Sequence, residues 1–150
     1  MLLELYPDAK FIHIHRHPFS VFSSNEKLYE SVVPQVAFHT IDNEDMEEHI
    51  FYTYKATMEN YFLERELLAR NQLFEMSYKE FIANPVEILN SVYSQLELGN
   101  FETAVPHLEN EVKNYANYAA NKHHDDPLKK QQVYGKWKGV YGKLGYECDL

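Results

Sequence analysis

Residues 10–24 read Lys10-Phe11-Ile12-His13-Ile14-His15-Arg16-His17-Pro18-Phe19-Ser20-Val21-Phe22-Ser23-Ser24, and the change of period inside this stretch decides the fold. Phe11, Ile12 and Ile14 interleave with His13 and His15 between Pro7-Asp8 and Pro18, which predicts a short strand buried on both faces. Pro18 cannot donate a backbone hydrogen bond, but its fixed φ suits the first turn of a helix, so strand should give way to helix within about two residues. Arg16 then stands at the carboxyl end of a strand, where open α/β sheets put their ligands. With Pro18 opening the helix, Ser24 falls near the end of the second turn, with its hydroxyl in reach of the same pocket. A guanidinium fork makes paired, charge-assisted bonds to phosphate oxygens, and a serine hydroxyl adds a neutral donor. An arginine at a strand end is also commonly a solvated or salt-bridged residue, and the local pattern leaves both readings open.

Working outward, the 150 residues suit a single domain over 1–150, with enough apolar and aromatic side chains to bury a real core. The one cysteine, Cys148, excludes an internal disulfide framework and a Cys-based zinc site. No apolar run approaches the roughly 20 residues of a membrane span, and the first residues lack the basic start of a signal peptide, so a cytoplasmic protein is expected. A net charge of -9 argues against a general nucleic-acid binder, because the phosphate backbone rewards a basic surface. The charge is uneven: Asp42 to Glu48 is acidic, whereas Lys122 to Lys143 holds six lysines. A small anion near that basic tail is one reading, and a solvated face is the other.

Further along, Leu2, Leu3 and Leu5 predict the end of a helix, and Phe19 to Tyr29 a helix carrying Val21, Phe22 and Leu28. Pro34 predicts a loop or short helical turns over Ser31 to Asp42. Ile50, Tyr54, Met58, Tyr61, Phe62 and Leu68 predict a long amphipathic helix from Asn43, as its cap, to Arg70. Leu73 to Ser77 reads as a second buried strand. Asn84-Pro85-Val86-Glu87 reads as a helix start with Asn84 as cap, and Gly99 as the stop. Helices over Thr103 to Tyr118 and Pro127 to Lys143 complete the chain. Strands separated by helices imply a parallel sheet, although two strands are few for one.

The chain as a whole resembles the nucleotide-proximal and C-terminal portion of sulfotransferases that use 3′-phosphoadenosine 5′-phosphosulfate, in particular the bacterial sulfotransferase-family type. The stretch "LLELYPDAKFIHIHRHPFSVFSS" is similar to the family's 3′-phosphate motif, an arginine at a strand end and a serine eight positions later, here Arg16 and Ser24. The stretch "LFEMSYKEFIANP" is similar to the family's strand, tyrosine, acidic turn and Asn/Asp-Pro, which makes Tyr78 the residue against the adenine. A phenol is suited to packing on a purine. Weaker matches are "VYSQLELGNFE", "YAANKHH" and "VYGKWKGVYGKLGYE". His17 stands where the family has Asp or Asn. The basic motif before a Gly-Asp-Trp-Lys run is matched only by Lys130 to Lys138 without its arginine-lysine-glycine opening, which leaves Lys130 as the 3′-phosphate candidate there.

The resemblance implies an α/β, P-loop-related three-layer fold, here a short parallel sheet with a predominantly helical remainder. It implies transfer of a sulfuryl group from 3′-phosphoadenosine 5′-phosphosulfate to a hydroxyl or amine acceptor, with no metal. The family's first strand, 5′-phosphosulfate loop and catalytic base lie upstream of the arginine motif, so they are expected before Met1, and no catalytic residue is assigned. By itself the chain is expected to bind the bisphosphate end of the nucleotide weakly and to catalyse nothing. The alternative is a non-catalytic nucleotide-binding or interaction module on the same fold. A third reading is a helical scaffold with a histidine metal site. His13, His15 and His17 are spaced by about 7 Å steps on an extended strand, wide for one zinc ion, and hydrogen-bonded core histidines fit better. His123-His124 beside Asp125-Asp126 reads as a polar loop before a metal site. An unpaired strand edge would favour self-association.

Overall fold

Phe11 to His15 forms β1 and Leu73 to Ser77 forms β2, and the two pair in parallel, with Phe11 opposite Leu73 and His15 opposite Ser77. A computed structural model describes residues 2–38, 42–114 and 126–148. It divides into two compact units, one of residues 1–15 and 64–121, the other of residues 16–63 and 122–150. As expected, the described residues are mostly helical, with a two-strand parallel sheet.

The first unit opens with a four-residue helix, α1 (Leu2–Leu5), followed by β1. β2 runs into α4 (Tyr78–Ala83), then α5 (Pro85–Leu96) and α6 (Val105–Asn114). Met76 from the strand and Val92 and Leu96 from α5 form its small core, with Phe74, Phe81 and Ile88 around them. Side chains tie the loops to the sheet: Gln95 donates to the carbonyls of Leu73 (2.7 Å) and Arg70 (3.2 Å), and Gln72 to that of Pro7 (2.6 Å). α4 and α5 lie against β2, so the outer isoleucines of β1 are uncovered: Ile12 and Ile14 are each 48% exposed. The expectation of a strand buried on both faces is thereby corrected: Phe11, His13 and His15 are half-buried on one face of β1, and Ile12 and Ile14 are exposed on the other.

The second unit packs α2 (Pro18–Val36), α3 (Asn43–Glu64) and α7 (Pro127–Leu144). Phe19 and Phe22 from α2, Ile50, Phe51, Met58 and Phe62 from α3, and Val133, Trp137, Val140 and Tyr141 from α7 form one aromatic-rich core. Trp137 sits at its centre, 1% exposed, edge-on to Phe22 and Phe51 and tilted against Tyr54, and its indole N–H donates to the Phe51 carbonyl at 3.0 Å. Its backbone (φ -118, ψ 19) kinks α7, which aims the ring at that carbonyl. Tyr54, against the same ring, has its phenol pushed up to about 12 by burial, so it stays neutral. Asp126 caps α7 by accepting from the N–H groups of Leu128 and Lys129.

Several boundaries differ from the sequence expectation. α2 continues through Pro34 to Val36, because a proline in the last turn deprives only the exposed Glu30 carbonyl, and the Ala37 N–H still closes on Val33 (2.9 Å). Leu28, one of the apolar residues carried by the predicted helix, is 54% exposed. Asp42, not Asn43, caps α3, accepting from the Asp45 N–H at 2.8 Å, and the helix gives way at Glu64 to a single 3₁₀ turn, Arg65–Leu67. Asn84 holds the cap position of α5 without a side-chain bond. That helix stops on Glu97, which takes the left-handed conformation itself, two residues before Gly99. The expected helix over Thr103 to Tyr118 is found as a 3₁₀ turn and α6, and residues 115–118 lie outside the described residues. Among the described residues no helix is long and apolar enough to cross a membrane.

Gly135 lies exposed within α7, and a Cβ there would meet nothing within 4 Å. An unneeded glycine in a helix interior costs about 1 kcal/mol relative to alanine. Gly135→Ala should therefore raise stability by roughly 0.5 to 1 kcal/mol in chemical denaturation. A loss of stability would show that this position serves something other than the helix.

Candidate functional site

Arg16 follows the last residue of β1 and is separated from Pro18, the first residue of α2, by His17 alone. The guanidinium-bearing residue is exposed, and so is Ser24 in the second turn of α2. Helix geometry puts Ser24 about 9 Å along the axis from Pro18, on the same side as Ser20. The first main-chain bond of α2 runs from the Val21 N–H to the His17 carbonyl (3.1 Å), so the N–H groups of Phe19 and Ser20 precede it. A helix start of this kind favours anions.

His17 is the brace of this turn. Its Nε2 lies 3.3 Å from the Glu147 carbonyl, and its ring meets Tyr141 and Tyr146 edge-on at 5.3 and 5.2 Å. The imidazole thus holds the start of α2 to the end of α7, a task a shorter Asp or Asn could not do by ring packing. Lys130, in the first turn of α7, is half-buried and carries its Nζ 5.8 Å from the centre of the Phe19 ring. That contact brings a second cation to the first turn of α2. Arg16, Ser24 and Lys130 therefore belong to one unit.

Tyr78 belongs to the other unit, where it is the first residue of α4 and half-buried. A reciprocal cap fixes its place. Ser77 Oγ accepts from the Glu80 N–H (3.1 Å), and the Glu80 carboxylate accepts from the Ser77 N–H (3.1 Å) and hydroxyl (2.7 Å). These bonds hold the Glu80 carboxyl below its ordinary value. Ser-x-x-Glu is the sequence signature of such a capping box, so Ser77-Tyr78-Lys79-Glu80 carried the signal that β2 runs directly into a helix instead of a turn.

On the inner face of the sheet, the His13 and His15 rings lie 5.7 Å apart, and Glu75 Oε1 stands 3.7 Å from His13 Nδ1 while accepting from Arg65 at 3.0 Å. Both imidazoles are held below the ordinary histidine value. Burial is the main cause for each, and for His13 the neighbouring His15 adds to it, against the opposing pull of Glu75. The folded chain therefore favours the neutral rings, and the unfolded chain takes up protons first as pH falls below about 6.5. Stability is fully present above that value and is lost below it, toward the depressed folded pKa values. Denaturation midpoints should fall as pH drops below about 6.5, and His13→Gln/His15→Gln should flatten that part of the profile. An unchanged profile in the double variant would contradict this origin.

Among the described residues no three His, Cys, Asp or Glu side chains gather as a metal site. His123, His124 and Asp125 lie outside the described residues, and Asp126 is the cap of α7.

Residues 1–103 match the family model described as the sulfotransferase family. The curated proteins described as omega-hydroxy-beta-dihydromenaquinone-9 sulfotransferase Stf3, from Mycobacterium bovis and Mycobacterium tuberculosis, are each 27% identical over 147 residues. That match takes in 98% of this chain and 38% of theirs, so the chain spans well under half the length of these relatives. The crystal structure of sulfotransferase STF9 from Mycobacterium avium superposes with a TM-score of 0.76 at 18% identity, over 99% of this chain and 39% of that one, which is a likeness of fold.

Proposed function

The chain belongs to the sulfotransferase family, and on that premise we propose that it supplies the 3′-phosphate and adenine contacts of an enzyme using 3′-phosphoadenosine 5′-phosphosulfate. Arg16 and Ser24 are assigned to the 3′-phosphate with Lys130 as a further cation, and Tyr78, which belongs to the other unit, to the adenine. The observation that supports the phosphate assignment is local. A guanidinium at the strand-to-helix turn, a helix start, an exposed hydroxyl two turns on and an ammonium against Phe19 all fall within one unit. Arginine grips a dianionic phosphate through two parallel bonds, and the helix dipole favours the same charge.

In the proposed reaction an acceptor oxygen or nitrogen bonds to the sulfur, the bond between sulfur and the bridging phosphate oxygen breaks, and adenosine 3′,5′-bisphosphate leaves with that electron pair. The acceptor's proton passes to a base, which is not among the four residues named. The 3′-phosphate itself does not react. Its contacts hold the nucleotide so that the breaking bond lies in line with the acceptor, which is how binding energy remote from the reacting atom is converted into rate. The curated relatives are named for a lipid quinone bearing a hydroxyl, and we carry only the hydroxyl class to this chain.

Selectivity for the 3′-phosphate tests the reading. In thermal-shift titrations adenosine 3′,5′-bisphosphate should raise the melting temperature in a concentration-dependent way and adenosine 5′-monophosphate should do so far less. Equal responses to the two nucleotides would reject the assignment.

A further inference from the structure

The lysines of α7 at positions 129, 136 and 143 recur every seven residues and so share one side of the helix. Their surroundings differ. Lys129 is ion-paired with Glu47. Among the described residues no carboxylate pairs with Lys136 or Lys143. Like that of Lys129 over Phe22 (5.6 Å), their ammonium groups lie over rings, those of Phe51 (5.7 Å) and Phe62 (4.8 Å). Between them, α7 carries Gly139, and a Cβ there would meet nothing within 4 Å. A cleft of about 80 Å³ opens at this point, with Lys55 and Glu59 of α3 on its far side, 3.9 Å from each other. A second cleft of about 230 Å³ shares Lys55 and Lys136 with it and runs along Phe51, Tyr52 and Glu48.

We propose that this groove is a second anion site, taking the phosphate group of an organic phosphate ester between Lys136 and Lys143 over Gly139, with the ester's apolar part along Phe51 and Tyr52. Lys136 and Lys143 stand on either side of the kink at Trp137, and both line the same cleft. Fixed cations facing an unfilled floor suit an oxyanion, and the adjoining aromatic walls suit an apolar substituent. Glu59 is shared with Lys55, which leaves Glu48 at the far end as the acidic limit of the site. Compared with the corner of Arg16, Ser24 and Lys130, this groove draws on none of the same side chains. A soluble phosphomonoester and an anionic phospholipid headgroup present the same chemistry to it.

The test uses the full chain carrying Arg16→Ala, so that the nucleotide corner cannot answer for the groove. Phenyl phosphate is titrated by calorimetry, and phosphatidylcholine vesicles with and without phosphatidylglycerol are tested by co-sedimentation. Binding in the first arm identifies a soluble ester, and binding only to the anionic vesicles identifies a headgroup; either supports the site. Lys136→Gln/Lys143→Gln should weaken that binding about tenfold, and Lys136→Arg/Lys143→Arg should retain it. Lys27→Gln/Lys138→Gln, which removes the same two charges from other exposed positions, should leave it unchanged. Gly139→Leu should weaken it without altering charge. No binding of either probe, or equal weakening by the two glutamine pairs, would overturn the proposal.

Discussion

Replacing Trp137 by alanine is expected to remove about 3 to 5 kcal/mol from the stability of the unit built on α2, α3 and α7, the largest single-residue effect foreseen for this chain. Three contributions add. The indole is 1% exposed and touches Phe22, Phe51 and Tyr54, so its removal leaves a void among rings that cannot collapse onto one another. The Phe51 carbonyl loses the donor that reaches it at 3.0 Å and is left buried. The kink in α7 loses the side chain that gives it a purpose. Trp137→Phe should cost less, about 1 to 2 kcal/mol, since it keeps a ring and loses chiefly the hydrogen bond. This is the chain's one tryptophan, so unfolding must be followed by circular dichroism instead of its fluorescence. A loss below about 1 kcal/mol for the alanine variant would mean that the three helices do not close on this ring.

Arg16→Ala should weaken adenosine 3′,5′-bisphosphate binding by roughly 2 to 3 kcal/mol, a rise in Kd of about 30-fold or more by calorimetry. The side chain is exposed at a turn, outside both hydrophobic cores, so the variant should melt at nearly the wild-type temperature. Arg16→Lys separates charge from geometry: an ammonium keeps the attraction but cannot make two parallel bonds, and an intermediate loss of about tenfold is expected. Affinity for adenosine 5′-monophosphate should be much the same in all three proteins. If Arg16→Ala binds the bisphosphate as tightly as the wild type, the phosphate is held elsewhere.

Much of this arrangement was legible in the sequence because the informative residues act locally. Pro18 fixed the change from strand to helix whatever surrounds it, since its ring sets φ and removes a donor. The strand at Leu73 to Ser77 and the parallel pairing followed from apolar runs separated by helical patterns. What depended on neighbours was less legible. Ile12 and Ile14 have the residue types of an interior strand, and their exposure reflects helices packed on β2, which no pattern within residues 10–24 encodes. The brace made by His17 depends on Tyr141 and Tyr146, more than a hundred residues away in the chain. Lys130 was singled out from a weak motif, and its place against Phe19 came only from the packing of α7 on α2. The roles of Arg16, Ser24 and Tyr78 came from family resemblance, because a strand-end arginine and a tyrosine among 12 say little by themselves.

The most direct test of the central claim is a ¹⁵N-correlated NMR titration of the full chain with adenosine 3′,5′-bisphosphate, with adenosine 5′-monophosphate as the reference. The predicted result is that the bisphosphate alone shifts the amides of residues 16, 17 and 19–24 and of Lys130, and that Arg16→Ala moves those shifts to about 30-fold higher ligand concentration. Shifts confined to other residues, or equal shifts from both nucleotides, would contradict a 3′-phosphate site at this turn.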